Sequence, residues 1–120
     1  MLFRLRSVLF LVFAAMIGLA ADAQAHTKLV STEPSADTEV AAPKTIQLHF
    51  TEGFETKFSS FKLTDTDGKD VPVKIVESKD PKTLTGVPQA PLLPGLYTVT
   101  WTTVARDSHK MTGSYSFTVK

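Results

Sequence analysis

The sequence predicts an all-β domain, a Greek-key β-sandwich or barrel of about seven strands, following a cleaved leader. Three observations predict it. Apolar and polar residues alternate in several short runs, the period-2 signature of strands buried on one face. Turn signals recur every ten residues or so. Seven prolines (Pro34, Pro43, Pro72, Pro81, Pro88, Pro91 and Pro94) are spread through the chain and leave no room for a long helix.

The first 25 residues differ in kind from the rest. "MLFRLRS" supplies two arginines, and "VLFLVFAAMIGLA" an apolar run shorter than the roughly 20 residues a membrane-spanning helix needs. Ala23-Gln24-Ala25 then places small residues at the two positions a signal peptidase reads. The expectation is a secretory signal over 1–25, cleaved after Ala25, and one domain over 26–120.

"KTIQLHFTE" alternates, with Ile46, Leu48 and Phe50 on one face and Gln47, His49 and Thr51 on the other. In "FSSFKLTDTDGKDVPVKIV", Asp67-Gly68 separates two strand-like runs, a hairpin signal because glycine accepts the positive φ such turns require. "PGLYTVTWTTV" starts at a Pro94-Gly95 turn and sets Tyr97, Val99, Trp101 and Thr103 on one face. "TGSYSFTVK" closes the chain with Tyr115, Phe117 and Val119 facing together. The expected core draws on these apolar positions with Leu29, Phe61, Leu63, Val73, Ile75 and Leu84.

Composition narrows function. The net charge is +1, and no basic stripe with interleaved aromatics argues for nucleic acid. Removing Arg4, Arg6 and Asp22 from 13 basic and 12 acidic residues leaves 11 of each, a formally neutral mature domain. There is no cysteine, which excludes a thiolate metal site, a cysteine nucleophile and the inter-sheet disulfide common in Ig-like domains. Ser108 has no base-and-orienter arrangement that would mark a nucleophile.

Chemistry resides in the histidines. Cleavage makes His26 the first residue, with a free α-amine beside its imidazole. The amine and Nδ1 can close a six-membered chelate ring on a metal ion. Their reference pKa values, about 7.7–8.0 and about 6.5, allow both to be deprotonated near neutral pH. Affinity is expected to fall as pH drops below them.

The second piece is "ARDSHKMTGSYSF", where one residue separates Asp107 from His109. In extended backbone such a pair projects from one face about 6.5–7 Å apart. With His26 the set comprises three nitrogens and one oxygen, which suits tetragonal Cu(II), although zinc could use similar ligands in a tetrahedron.

The chain resembles the CopC family of periplasmic copper-binding proteins along essentially the whole mature sequence. "HTKLVSTEPSADTEV" is similar to the family's first-residue histidine, short strand and proline turn. "PKTIQLHFTEGFE" is similar to its "I-x-L-x-F" strand, and "LPGLYTVTWTTVARDSHKMTGSYSFTV" to its closing segment with the D-x-H. The resemblance implies a periplasmic protein, exported by the Sec pathway, that binds one Cu(II) per chain through His26, Asp107 and His109. It also implies a carrier or buffer role in copper resistance or uptake. A monomer is expected, with an inner-membrane transporter of the CopD type as partner and no enzymatic activity.

Two departures from the family stand out. Some members carry a methionine-rich Cu(I) loop with a nearby histidine; here Met111 is the only mature methionine, so His49 reads as an outward polar residue. Lys110 follows His109 where the family often has proline, and is expected to point outward. Two other functions compete. One is an oxidative copper enzyme, since lytic polysaccharide monooxygenases also chelate copper through a first-residue histidine. The other is a metal-free Ig-like interaction module.

Overall fold

The computed structural model describes residues 27–120. The leader, its cleavage site and His26 lie outside the described residues.

Nine strands form two facing sheets. They are β1 (Leu29–Glu33), β2 (Glu39–Val40), β3 (Ile46–Phe50), β4 (Ser60–Thr64), β5 (Asp70–Val71), β6 (Val73–Val76), β7 (Thr83–Pro88), β8 (Gly95–Val104) and β9 (Lys110–Val119). A 3₁₀ turn, Thr56–Phe58, follows β3. Seven strands have four or more residues; β3, β4, β6, β8 and β9 lie in the runs read from the sequence, whereas β7, buried on both faces over Thr83–Gly86, shows no alternation. The other two, β2 and β5, are two-residue edge pairings too short to show a period.

One sheet has the order β1-β3-β7-β6, the other β2-β9-β8-β4-β5. The hairpins β4–β5, β6–β7 and β8–β9 stay within a sheet, while the remaining connections cross between sheets, giving the interleaved connectivity of a Greek key. Pro72 marks one such crossing. β5 pairs with β4, whereas β6, starting at Val73, pairs with β7. A proline cannot donate a ladder hydrogen bond, so the run breaks there and changes sheet.

The core lies between the sheets. Ile46, Leu48 and Phe50 of β3 face Tyr97, Val99 and Trp101 of β8, with Phe61, Leu63, Leu84, Phe117 and Val119 completing the layer. Each fully buried Leu, Ile or Phe contributes about 1.5–3 kcal/mol. Without a disulfide, this packing carries the fold. Gly113, opposite Trp101 in the β8–β9 register, makes room for the indole: a Cβ there would lie 2.5 Å from Trp101 Cζ2. Phe50 meets Trp101 edge-on at 5.1 Å and Phe54 at 5.6 Å between ring centroids.

The observed core differs from the expected one in two ways. Phe54 and Leu92 are buried although they lie in connections, where no period marks them. Leu29, Val73, Ile75 and Tyr115 are only partly buried. Leu29 lies on one outer strand of its sheet and Val73 and Ile75 on the other, so each has a neighbour on one side only.

Candidate metal centre

The β8–β9 hairpin is the longest pairing among the described residues, ten residues from each strand in register from Gly95↔Val119 to Val104↔Lys110. Its turn holds Asp107 and His109. The Ser108 N–H donates to the Ala105 carbonyl at 2.9 Å, and the Ala105 N–H to the His109 carbonyl at 2.9 Å. Ser108 has a φ of 74°. This is a three-residue hairpin loop with a left-handed residue closing the bulge.

The two site residues therefore meet by a different route from the one expected. An extended strand was expected to place them side by side on one face. Instead the left-handed Ser108 folds the chain back, and the Asp107 carboxylate grips His109 twice. Oδ1 accepts the His109 backbone N–H at 3.1 Å, and Oδ2 pairs with His109 Nδ1 at 2.8 Å.

The imidazole hydrogen bond, followed by that of the His109 backbone, holds the Asp107 carboxyl below its ordinary range; its slight burial opposes them. An ionised carboxylate only accepts, so His109 Nδ1 carries the proton. The neutral ring then has its lone pair on Nε2. Histidines that ligate metals commonly donate their other ring N–H to a carboxylate in this way.

The beginning of the described chain comes to the same place. Lys28 N–H donates to Thr51 Oγ1 at 2.9 Å, and Thr51 N–H to the Lys28 carbonyl at 2.9 Å. This clasp fixes the segment against the end of β3. The loop after β3 is in turn held to β8, since Glu55 N–H donates to the Val104 carbonyl at 2.8 Å. Thr27 is consequently buried, with 3% of its surface exposed. It lines a cleft of about 430 Å³ together with Glu52, Gly53, Lys82, Arg106 and Asp107. Thr27 is the residue after His26. Among the described residues, no three His, Asp or Glu side chains gather as a metal site. Asp107 and His109 are the described pair, and the cleft beside them receives the chain from residue 27.

His49 stands elsewhere. It is half-buried on the outer face of β3, where Nδ1 lies 2.9 Å from Thr83 Oγ1 and Nε2 lies 3.8 Å from Glu33 Oε1. The Thr83 hydroxyl donates to Asp80 Oδ2 at 3.2 Å, so it accepts from His49 Nδ1–H. Met111 packs against the core from β9, in the other sheet. Lys110 begins β9, exposed, on the face opposite Met111. Glu52 and Arg106 line the cleft, as do Lys82 and Gly53, which sequence reasoning did not single out. No local signal could have found those two. The cleft is made by three loops that only the tertiary fold joins.

A small two-sheet sandwich with a carboxylate–imidazole pair in the β8–β9 hairpin, next to the incoming N-terminal segment, defines a class of small Greek-key β-domain with candidate ligands at one end. The chain belongs to the CopC family: residues 29–120 match the CopC domain. It is 43% identical over 113 residues to copper resistance protein C of Escherichia coli, covering 88% of this chain and 90% of that protein. It is 44% identical over 115 residues to copper resistance protein C of Pseudomonas syringae pv. tomato, covering 90% and 91%.

Among solved structures, it is similar to PcoC, a methionine-rich copper resistance protein from Escherichia coli. The TM-score is 0.75 and the identity 44%, over 80% of this chain and 100% of that one. It is also similar to CopC from Methylosinus trichosporium OB3b, with TM-score 0.71 and 37% identity, over 79% and 94%. These relatives are copper resistance proteins and not enzymes. The methionine-rich character of PcoC is not shared: this chain has three methionines in all.

Proposed function

We propose that this chain is a periplasmic Cu(II)-binding protein of copper resistance or supply. Its precursor is exported by the Sec pathway and cleaved after Ala25, and the mature domain spans 26–120. One Cu(II) per chain is held by the α-amine and Nδ1 of His26, by Asp107 and by the imidazole of His109. The protein is a monomeric carrier or buffer that hands copper to an inner-membrane transporter of the CopD type.

The observation that carries this reading is the burial of Thr27 in the cleft lined by Asp107. With the chain ordered from residue 27 beside Asp107, a first-residue chelate at the D-x-H has little further described backbone to order on binding. The Asp107–His109 hydrogen bonds support the second half: carboxylate and imidazole already lie together at the turn, and on copper binding the carboxylate exchanges its bond to Nδ1 for the ion. The carboxylate contributes negative charge, which favours Cu(II) over Cu(I). Met111, the one methionine of residues 26–120, lies in the other sheet from His49, which gives His49 no methionine ligand set among the described residues.

Copper titration of the mature protein tests the reading. The single tryptophan, Trp101, lies on β8 four residues before Ala105, within about 15 Å of the turn at strand spacing, so bound Cu(II) quenches its fluorescence. Quenching is expected to saturate at one equivalent. His109→Ala is expected to weaken binding by more than the roughly 10- to 100-fold that loss of an outer partner costs. Equal affinity in His109→Ala and the parent would sink the site.

A further inference from the structure

The cleft beside the D-x-H holds more charge than copper binding uses. Asp107 is engaged with His109. Arg106 and Lys82 also line the cleft, and among the described residues neither forms an ion pair. They come from separate loops. Lys82 precedes β7 and is fixed at its backbone, its N–H donating to Asp80 Oδ1 at 2.9 Å and its carbonyl accepting Phe50 N–H at 2.8 Å. Arg106 opens the β8–β9 loop.

The two loops meet at Gly53. A Cβ there would lie 3.7 Å from Arg106 Nη2 and 3.7 Å from the Pro81 carbonyl oxygen. The guanidinium and the Pro81–Lys82 backbone are thus near neighbours across a residue with no side chain. The result is two cations that form no ion pair among the described residues, at a cleft that Glu52 also lines. Its volume of about 430 Å³ far exceeds the roughly 30 Å³ share of a water molecule. The space suits a molecule of several heavy atoms better than a lone ion.

We propose that this cleft binds a small amino-acid-type ligand, its carboxylate held by Arg106 and Lys82 and its amino end directed toward Glu52 or the metal. Arg presents a planar fork and Lys a point charge, and both make short charge-assisted hydrogen bonds to a carboxylate. An α-amino acid also chelates Cu(II) through its amine and carboxylate. Resting on the copper reading above, the cleft brings an exchangeable chelator beside the bound ion. Copper would then enter and leave by ligand exchange instead of by release into water.

The test uses glycine as probe and the mature protein from residue 26. In the metal-free protein, amide NMR shifts at Gly53, Lys82 and Arg106 are expected to move and saturate with glycine. Glycinamide, which keeps the amine and loses the carboxylate, is expected to bind at least about fivefold more weakly, as is glycine to the Arg106→Gln/Lys82→Gln variant. Both side chains are exposed, so this variant is expected to keep its dispersed spectrum. Unsaturable or absent shifts at these amides would overturn the proposal, as would equal binding of glycinamide or an unaffected double variant. In the copper-loaded protein, glycine is expected to shift the visible d–d band, and less so in the double variant. Failure of the parent to bind copper would count against the copper reading alone, because the metal-free titration judges the cleft by itself.

Discussion

Ser108 occupies in the β8–β9 turn the place that Gly68 occupies in the β4–β5 turn. In each loop this residue donates its N–H to the carbonyl three positions earlier, Asp65 for Gly68 at 3.0 Å and Ala105 for Ser108 at 2.9 Å. In each the backbone is left-handed, with φ 78° at Gly68 and 74° at Ser108. In each an aspartate caps the loop amides: Asp65 Oδ1 accepts from Asp67 and Lys69, Asp107 Oδ1 from His109. The metal turn is thus an ordinary hairpin loop with a strained residue at its glycine position. A left-handed L-residue costs about 1–2 kcal/mol, part of which glycine returns as extra freedom in the unfolded chain.

Ser108→Gly is therefore expected to raise stability by up to about 1 kcal/mol, and Gly68→Ala to lower it by about 1 kcal/mol. Urea unfolding of the metal-free protein measures both. A loss of stability in Ser108→Gly would show that the hydroxyl has a role its geometry does not reveal.

Thr103 is fully buried on the inner face of β8, and its hydroxyl makes no hydrogen bond among the described residues. A buried hydroxyl without a partner costs about 1–3 kcal/mol. Thr103→Val keeps the shape and removes the unpaired group, so it is expected to stabilise the fold by about 1 kcal/mol. Thermal unfolding reads the change as a higher Tm. A lower Tm would mean that the hydroxyl is satisfied in solution.

Tyr115 is half-buried between the sheets, with the Thr32 hydroxyl as its one polar neighbour, which opposes the effect of burial only weakly. Burial pushes its pKa up to about 12. In the unfolded chain a tyrosine titrates near 10, so as pH rises the unfolded state loses its proton first and is favoured. The stability contributed by the neutral phenol is complete below about pH 10 and is lost as pH rises toward about 12. Urea midpoints at about pH 9 and about pH 11 are expected to fall further apart in the parent than in Tyr115→Phe. Equal falls would show that Tyr115 does not titrate differently in the two states.

The alternation of Ile46, Leu48 and Phe50, and of Tyr97, Val99 and Trp101, was legible because one face of each strand meets the core. Phe54 and Leu92 were not, since a connection has no period and its burial depends on what folds over it. The change of sheet at Pro72 was equally hidden: two strand-like runs around a turn look alike whether or not they share a sheet. At the site, the pairing of Asp107 with His109 was legible as a spacing, but its cause was not. An extended strand explains the pair on paper, whereas the left-handed Ser108 makes it in the fold. The contribution of Lys82 and Gly53 to the cleft could not be read at all, because it depends on which loops the two sheets bring to one end.

The central claim is that a free amine at His26 is part of the copper site. The most direct measurement compares Cu(II) affinity of the protein beginning at His26 with that of the same protein carrying one additional alanine before it. The extension leaves every imidazole and carboxylate in place and converts the amine into a peptide nitrogen. Affinity is expected to fall by at least about 100-fold, beyond what loss of an outer partner costs. Unchanged affinity would contradict the account.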